Sequence, residues 1–189
     1  MMDAQSIRAF VGIDIDNETR EKLLAIQRDY LKLHELSSVK AVDPKTVHIT
    51  LDFFGYLTPI ELATVSAGLS SISFHPFSVT LCGIGVFPSA KKMRIVYVGL
   101  SDFDDLKALH TIVIKTLQSG RATAKKFDPH ITLGRVKRTV PGELQQLATN
   151  IASLSTSYFG RLDVTSFQLK RSTLTPNGPI YETVEEFRL

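Results

Sequence analysis

The sequence predicts an α+β fold of two pseudo-symmetric lobes, each an antiparallel-rich sheet backed by helices, with an active-site cleft between them. Three observations lead there. The order helix–strand–helix–hairpin can be read twice along the chain. The tetrapeptide His-Ile-Thr-Leu occurs at 48–51 and again at 130–133, its histidines 82 positions apart. No Ser/Gly/Pro-rich linker or low-complexity segment divides the 189 residues. Residues 1–189 are therefore expected to form one domain of two intertwined lobes.

The elements follow in order. Ile7 to Ile15, rich in β-branched and aromatic residues, reads as a buried strand. Asp16 or Asn17 can cap a helix to about Leu36, along which Leu23, Leu24, Ile26, Tyr30, Leu31 and Leu33 recur at roughly helical spacing. Val47 to Phe54 is a strand ended by Gly55. Thr58 and Pro59 then open a second helix as N-cap and first helical residue. Phe77 to Val86 and Met93 to Leu100 form a hairpin through residues 87–92. A helix from Phe103 to about Gln118 ends near Gly120, and a strand covers Ile131 to Val136. Pro141 starts a helix to about Leu154. A hairpin of Arg161 to Leu174 and Ile180 to Arg188 closes the chain, turning at Thr175-Pro176-Asn177-Gly178-Pro179.

Composition narrows the function classes. Hydrophobic residues make up 43% and charged residues 22%, as in an ordinary soluble globular protein. The formal charge of +3 is too small for binding nucleic acid through a basic tail. Cys82 is the sole cysteine, which excludes an intrachain disulfide and a cysteine-rich zinc site. No run of about 18 apolar residues is present, and the N-terminus lacks a basic region followed by an apolar stretch. Neither a membrane span nor a signal peptide is expected, and the expected location is cytoplasmic.

The paired motifs carry the chemistry. Side chains alternate along a strand, so His48 and Thr50 share one face while Ile49 and Leu51 share the other. His130 and Thr132, with Ile131 and Leu133 behind them, repeat the pattern. Each lobe would pack its apolar pair on its helices and aim a His-Thr pair into the cleft. Such a site suits a phosphodiester. An imidazole with a pKa near 6.5 can act as base or acid at neutral pH, and two of them on opposite sides of a phosphorus match in-line displacement. Two threonine hydroxyls can hold the non-bridging oxygens, with no metal or other cofactor required.

Parity also places Asp52 on the cleft face, or else toward solvent. Two histidines at this spacing lack a third metal ligand, although Asp52 and Asp128 are near. His34, His75 and His110 fall in a helix end, a loop and an amphipathic helix, and are read as structural or solvent-facing. Arg121, Lys125, Lys126, Arg135, Lys137 and Arg138 surround the second motif against a single acid, Asp128. Arg135, at the end of the motif strand, is a candidate phosphate ligand. Lys170 and Arg171 add charge in the last hairpin. Phe54 and Tyr56 are candidates for stacking on a base, ahead of Phe10 and Phe53.

The motifs together with RAFVGIDI, HITLDFFG, GIGVFPSAKKMRIVYVGL, PHITLGRV and KRSTLTPNGPIYETVEEF resemble the RNA 2′,3′-cyclic phosphodiesterase family. This is also called the 2′-5′ RNA ligase family and lies within the two-histidine phosphoesterase superfamily. The resemblance spans almost the whole chain and implies a bilobal fold with a central cleft. It implies metal-independent hydrolysis of RNA 2′,3′-cyclic phosphates to 2′-phosphate ends, and joining of RNA ends, tRNA halves among them, through 2′-5′ linkages. By matching motif, His48 and Thr50 form the first catalytic pair, His130 and Thr132 the second, and Arg135 the arginine that follows it. The chain departs from the family pattern at Asp52, commonly Lys or Arg, and at Phe54, commonly Leu. Two other readings remain open. One is a hydrolase of a small cyclic nucleotide or ADP-ribose cyclic phosphate; the other is a non-catalytic module that binds RNA ends. A chain with its own cleft is expected to work as a monomer.

Overall fold

A computed structural model describes residues 6–117, 127–176 and 178–189. Nine strands and four α-helices alternate along these described residues: β1 (Ile7–Asp14), α1 (Asn17–Ala25), β2 (Val39–Ala41), β3 (His48–Leu57), α2 (Pro59–Ser70), β4 (Phe77–Ser89), β5 (Lys92–Ser101), α3 (Asp104–Thr116), β6 (His130–Val136), α4 (Pro141–Ser153), β7 (Tyr158–Val164), β8 (Ser166–Thr175) and β9 (Gly178–Arg188). The expected end of the third helix at Gln118 and Gly120, the cations Arg121, Lys125 and Lys126, and Asn177 of the last turn lie outside the described residues.

Local chemistry explains most boundaries. The Asp16 carboxylate accepts from Thr19 N at 2.7 Å and caps α1. Thr58 and Glu61 form a capping box at α2, with Pro59 at its start. The first helix is shorter than its apolar spacing predicts. Leu31 and Leu33 are both fully buried, and residues two apart cannot share one face of an α-helix. The chain accordingly widens into a π turn at Ile26–Tyr30, crosses Lys32 at φ 49°, and re-forms as a 3₁₀ turn at Leu33–Glu35. Strand β3 continues past Gly55, whose φ of 75° bends it without ending it; Tyr56 still pairs with Arg8 and Leu57 with Ile7.

The final hairpin differs more. Its expected first strand is two strands with different partners: β7 pairs with β4, and β8 with β1 and β9. The break at Thr165 has a cause in the pattern itself. Leu162 and Val164 are buried on even positions, Phe167 and Leu169 on odd ones, so the alternation changes phase between them.

Sheet topology then shows how the lobes are assembled. The strand order is β7-β4-β5-β6-β3-β1-β8-β9, with β2 added alongside β6. Every pair is antiparallel. The two motif strands meet at one residue pair, Ile49 opposite Ile131, both fully buried. The hairpin that follows the first motif, β4–β5, pairs with the second motif strand β6. The C-terminal hairpin β8–β9 pairs with β1, beside the first motif strand. The lobes are thus not the two halves of the sequence: each borrows its hairpin from the other half.

Strand β2 has no counterpart in the sequence reading. It is held against α4 by Glu143, whose carboxylate accepts from Ser37 Oγ at 2.7 Å and Ser38 N at 2.8 Å. Hydrogen bonds from Ser38 and Ser37 bring that carboxyl group down to about 2. Among the described residues no helix is long and apolar enough to cross a membrane.

Candidate active site

The two motif strands are bent alike, and the bends decide which side chains reach the cleft. Opposite β3, Gly12 pairs with Thr50 and Val11 with Asp52, leaving Leu51 unmatched. Opposite β6, Tyr97 pairs with Thr132 and Val96 with Gly134, leaving Leu133 unmatched. Each His-Ile-Thr-Leu therefore carries a β-bulge at its leucine, and beyond it the alternation is inverted. The fourth residue after each histidine (Asp52, Gly134) turns away from the cleft. The fifth (Phe53, Arg135) turns into it.

A cavity of about 620 Å³ opens where the strands meet, lined by His48, Thr50, Phe53, His130, Thr132 and Arg135. That volume suits a nucleotide-sized ligand. The rest of the wall comes from residues 40–43 and 45–47, from Lys137, and from the end of β8 and the start of β9, which contributes Tyr181. All five residues expected to do chemistry are there, and Ile49, Leu51, Ile131 and Leu133 lie in the core behind them.

Both imidazoles are fixed in the same way. His48 Nδ1 lies 2.9 Å from the Thr46 carbonyl oxygen and His130 Nδ1 lies 2.8 Å from that of Asp128. A carbonyl only accepts, so Nδ1 carries the proton in each ring and Nε2 is left for proton transfer. Each ring is also walled by two aromatics. Phe10 and Tyr181 stand 4.8 and 5.0 Å from His48, and Phe87 and Tyr97 stand 5.0 and 5.4 Å from His130, between ring centroids. Burial lowers the His48 pKa below the ordinary imidazole value. The bond to Thr46 and the Asp14 charge oppose this, while Lys170 and Arg135 reinforce it. Burial raises the phenols of Tyr97 and Tyr181, which stay protonated and able to donate. Among the described residues, neither the Thr50 nor the Thr132 hydroxyl has a partner within the protein.

Close approach makes Gly12 part of this construction. A Cβ there would stand 2.9 Å from the Ile49 carbonyl oxygen and 3.4 Å from His48 Cδ2. Gly12→Ala is expected to cost about 1–3 kcal/mol through overpacking against the motif strand, read as a lower urea midpoint with an unchanged m-value.

Other expected positions fall elsewhere. Asp52 lies near His110 on α3, whose pKa burial lowers while the Asp52 charge opposes the shift; Asp52 sits on the face away from the cavity, because the bulge at Leu51 inverts the parity that pointed it inward. Phe54 is buried in the core and Tyr56 is exposed beyond the cavity wall. The aromatic in the cleft is Phe53, stacked 5.1 Å from Phe10, with the Arg8 guanidinium 5.1 Å from its ring. Lys170 is buried in an ion pair with Asp14, at 2.5 and 2.7 Å, instead of facing the cleft. Arg171 lies 3.8 Å from Glu182. His34, His75 and His110 lie outside the cavity, His110 stacked on Phe127 at 3.9 Å. Among the described residues no three His, Cys, Asp or Glu side chains cluster to hold a metal ion.

The aromatic walls were not singled out by sequence reasoning. Phe87, Tyr97 and Tyr181 sit on strands beside the motifs, and only the exchanged hairpins bring them there. Lys40 and Lys45 escaped notice because the short strand β2 did.

Comparison with known proteins gives the family and the fold. The family described as LigT like Phosphoesterase matches residues 13–97 and 103–181. An RNA 2′,3′-cyclic phosphodiesterase of Archaeoglobus fulgidus is 37% identical over 182 residues, covering 96% of this chain and 99% of that protein. One of Methanothermobacter thermautotrophicus is 35% identical over 188 residues, covering 97% and 99%. A crystal structure from Thermus thermophilus superposes with a TM-score of 0.80 at 27% identity, covering 97% of this chain and 98% of that one. Escherichia coli LigT complexed with 3′-AMP shares the fold, with a TM-score of 0.78 at 21% identity and coverage of 97% and 98%. The chain belongs to the LigT-like phosphoesterase family.

Proposed function

We propose that the protein hydrolyses the 2′,3′-cyclic phosphate at an RNA 3′ end to a 2′-phosphate, working as a monomer in the cytoplasm. The observation that supports this most is the pair of imidazoles in one cavity, each with Nδ1 on a backbone carbonyl and Nε2 left over. Thr50, Thr132 and Arg135 hold the non-bridging oxygens, and their donors oppose the charge that grows on the phosphoryl group. His48, whose burial disfavours the charged imidazolium, takes a proton from water at Nε2 as the water oxygen attacks phosphorus. His130 gives a proton to the departing 3′-oxygen. The P–O3′ bond breaks, the P–O2′ bond stays, and the two histidines end with protonation states exchanged until solvent resets them. An RNA 5′-hydroxyl in place of water would give a 2′-5′ linkage by the same transfers, which is how the cleft would join tRNA halves. Phe53, backed by Phe10, is the platform for the terminal base.

Incubation with an oligoribonucleotide ending in a 2′,3′-cyclic phosphate tests the reading. The expected product carries a 2′-phosphate, resistant to a 3′-specific phosphatase; a 3′-phosphate product, or none, overturns it.

A further inference from the structure

Leu133 is the unmatched residue that turns Arg135 into the cleft, and its carbonyl oxygen is held from the β2 side. It accepts from Val42 N at 2.8 Å and from Gln27 Nε2 at 2.8 Å. The same Nε2 donates to the Val42 carbonyl oxygen, also at 2.8 Å. Both of its neighbours are carbonyl oxygens, which only accept, so the NH₂ end of the carboxamide is the end that faces them. Gln27, in the π turn at Ile26–Tyr30, is 4% exposed, and both of its amide hydrogens are used. Polar side chains lie this deep where their bonds are made. The proposed proton transfers do not use Gln27.

The two carbonyls that it bridges lead to the two halves of the site. One belongs to the bulge. Gly134, turned away from the cleft, has no room there for a side chain: a Cβ would stand 3.0 Å from Leu33 Cδ1 and 3.1 Å from Val39 Cγ1. The inverted alternation is thus pressed against β2 and the 3₁₀ turn, and Arg135 follows it into the cavity. The other carbonyl belongs to Val42, which lines the cavity and opens the segment leading to His48. That segment is short and tightly bonded. Lys45 N donates to the Asp43 carboxylate at 2.9 Å, Thr46 N to the Asp43 carbonyl at 2.8 Å, and Arg20 Nε to the Pro44 carbonyl at 3.0 Å. It ends at the Thr46 carbonyl, which fixes His48 Nδ1.

We infer that Gln27 is a positioning residue of the cleft: its buried amide ties the Leu133 bulge to the segment that carries the Thr46 carbonyl, and so aims the Arg135 guanidinium at a bound phosphoryl group. The inference deepens the proposed reaction and rests on it for the substrate that bears this group. The aim of Arg135 toward an anion does not depend on turnover. Without Nε2, both carbonyls lose a donor at once, and a buried acceptor left short of a partner drives local rearrangement. The bulge then relaxes toward regular alternation, in which Arg135 leaves the cleft.

The test uses the full chain and the variant Gln27→Met, which keeps an unbranched side chain of similar bulk but donates nothing. Two quantities are read: affinity for inorganic phosphate by calorimetry, and kcat/KM on an oligoribonucleotide ending in a 2′,3′-cyclic phosphate. Each is expected to fall by about tenfold. In an Arg135→Ala background the same substitution should change either by less than about threefold, because the group through which Gln27 acts is already gone. The acid limb of kcat/KM should also move to higher pH in Gln27→Met, as the guanidinium withdraws from His48 while Lys170 of β8 and Asp14 of β1 stay in place beside it. Gln27→Asn, whose amide stops one methylene short, repeats the comparison with a polar group kept in the site and should show the same non-additivity. In a folded variant of either kind, unchanged phosphate affinity, or a loss repeated undiminished in the Arg135→Ala background, overturns the inference. Non-additive weakening of phosphate binding in a protein without turnover leaves the inference standing and removes the proposed reaction.

Discussion

Replacing His48 or His130 by alanine is expected to lower kcat on a 2′,3′-cyclic phosphate end by about 10²–10⁴-fold, while circular dichroism and KM stay close to those of the parent protein. The asymmetry between kcat and KM follows from the division of labour in the cleft. In the proposed reaction Thr50, Thr132 and Arg135 would already hold the anion when it binds, whereas each Nε2 would act only as a proton moves. Removing both histidines should cost little more than removing one, because an in-line displacement lacking either transfer already proceeds by another route. The pH profile carries a further signature. Burial lowers the His48 pKa, so the neutral base persists to lower pH than an ordinary imidazole would allow. The acid limb of kcat/KM should accordingly fall below pH 6.5, and activity should be retained where a solvent-exposed histidine would already be protonated. An acid limb at or above that value, or wild-type kcat in His48→Ala, removes His48 from the role of base.

The placement of the paired motifs was legible in the sequence and their surroundings were not, for reasons that separate cleanly. Identical tetrapeptides 82 positions apart, read with the period of two, placed His48, Thr50, His130 and Thr132 on one surface, and they share one cavity. Capping chemistry did the same for local ends such as Thr58-Pro59. What failed was anything that depends on register between distant segments. The order of elements does not say which motif strand each hairpin joins: β4–β5 pairs with the second, and β8–β9 pairs with β1 beside the first. Phe87, Tyr97 and Tyr181 reach the histidines through that pairing. One signal was present and unread: the phase change between Val164 and Phe167, where a buried alternation cannot continue on one face. Bulges are harder to see. No residue type marks Leu51 or Leu133 as unmatched, and strict alternation from His48 therefore pointed Asp52 inward and Phe53 outward.

Arg135→Ala is expected to lower kcat/KM by about 10²–10³-fold, and the same bulge explains why this position matters. Strict parity from His130 puts Gly134 in the cleft and Arg135 outside it; the unmatched Leu133 reverses the two. The guanidinium then lines the cavity beside Thr132, near enough to His48 that its charge lowers that imidazole's pKa. Two effects should separate. Without the guanidinium donors on the phosphate, kcat/KM falls at every pH. Without the charge, the His48 pKa rises and the acid limb moves toward higher pH. Arg135→Lys restores the second effect more fully than the first, since an ammonium supplies the charge but not the planar pair of donors that fits a phosphoryl group. Asp52→Asn gives the matching comparison from the other lobe. Alternation without a bulge would set it beside His48 and make the substitution consequential. Turned toward His110 and away from the cavity, it should leave kcat/KM within about twofold of wild type, as surface changes far from a reacting centre do. A large loss in Asp52→Asn together with a small one in Arg135→Ala would mean that the two motif strands enter the cleft unbent.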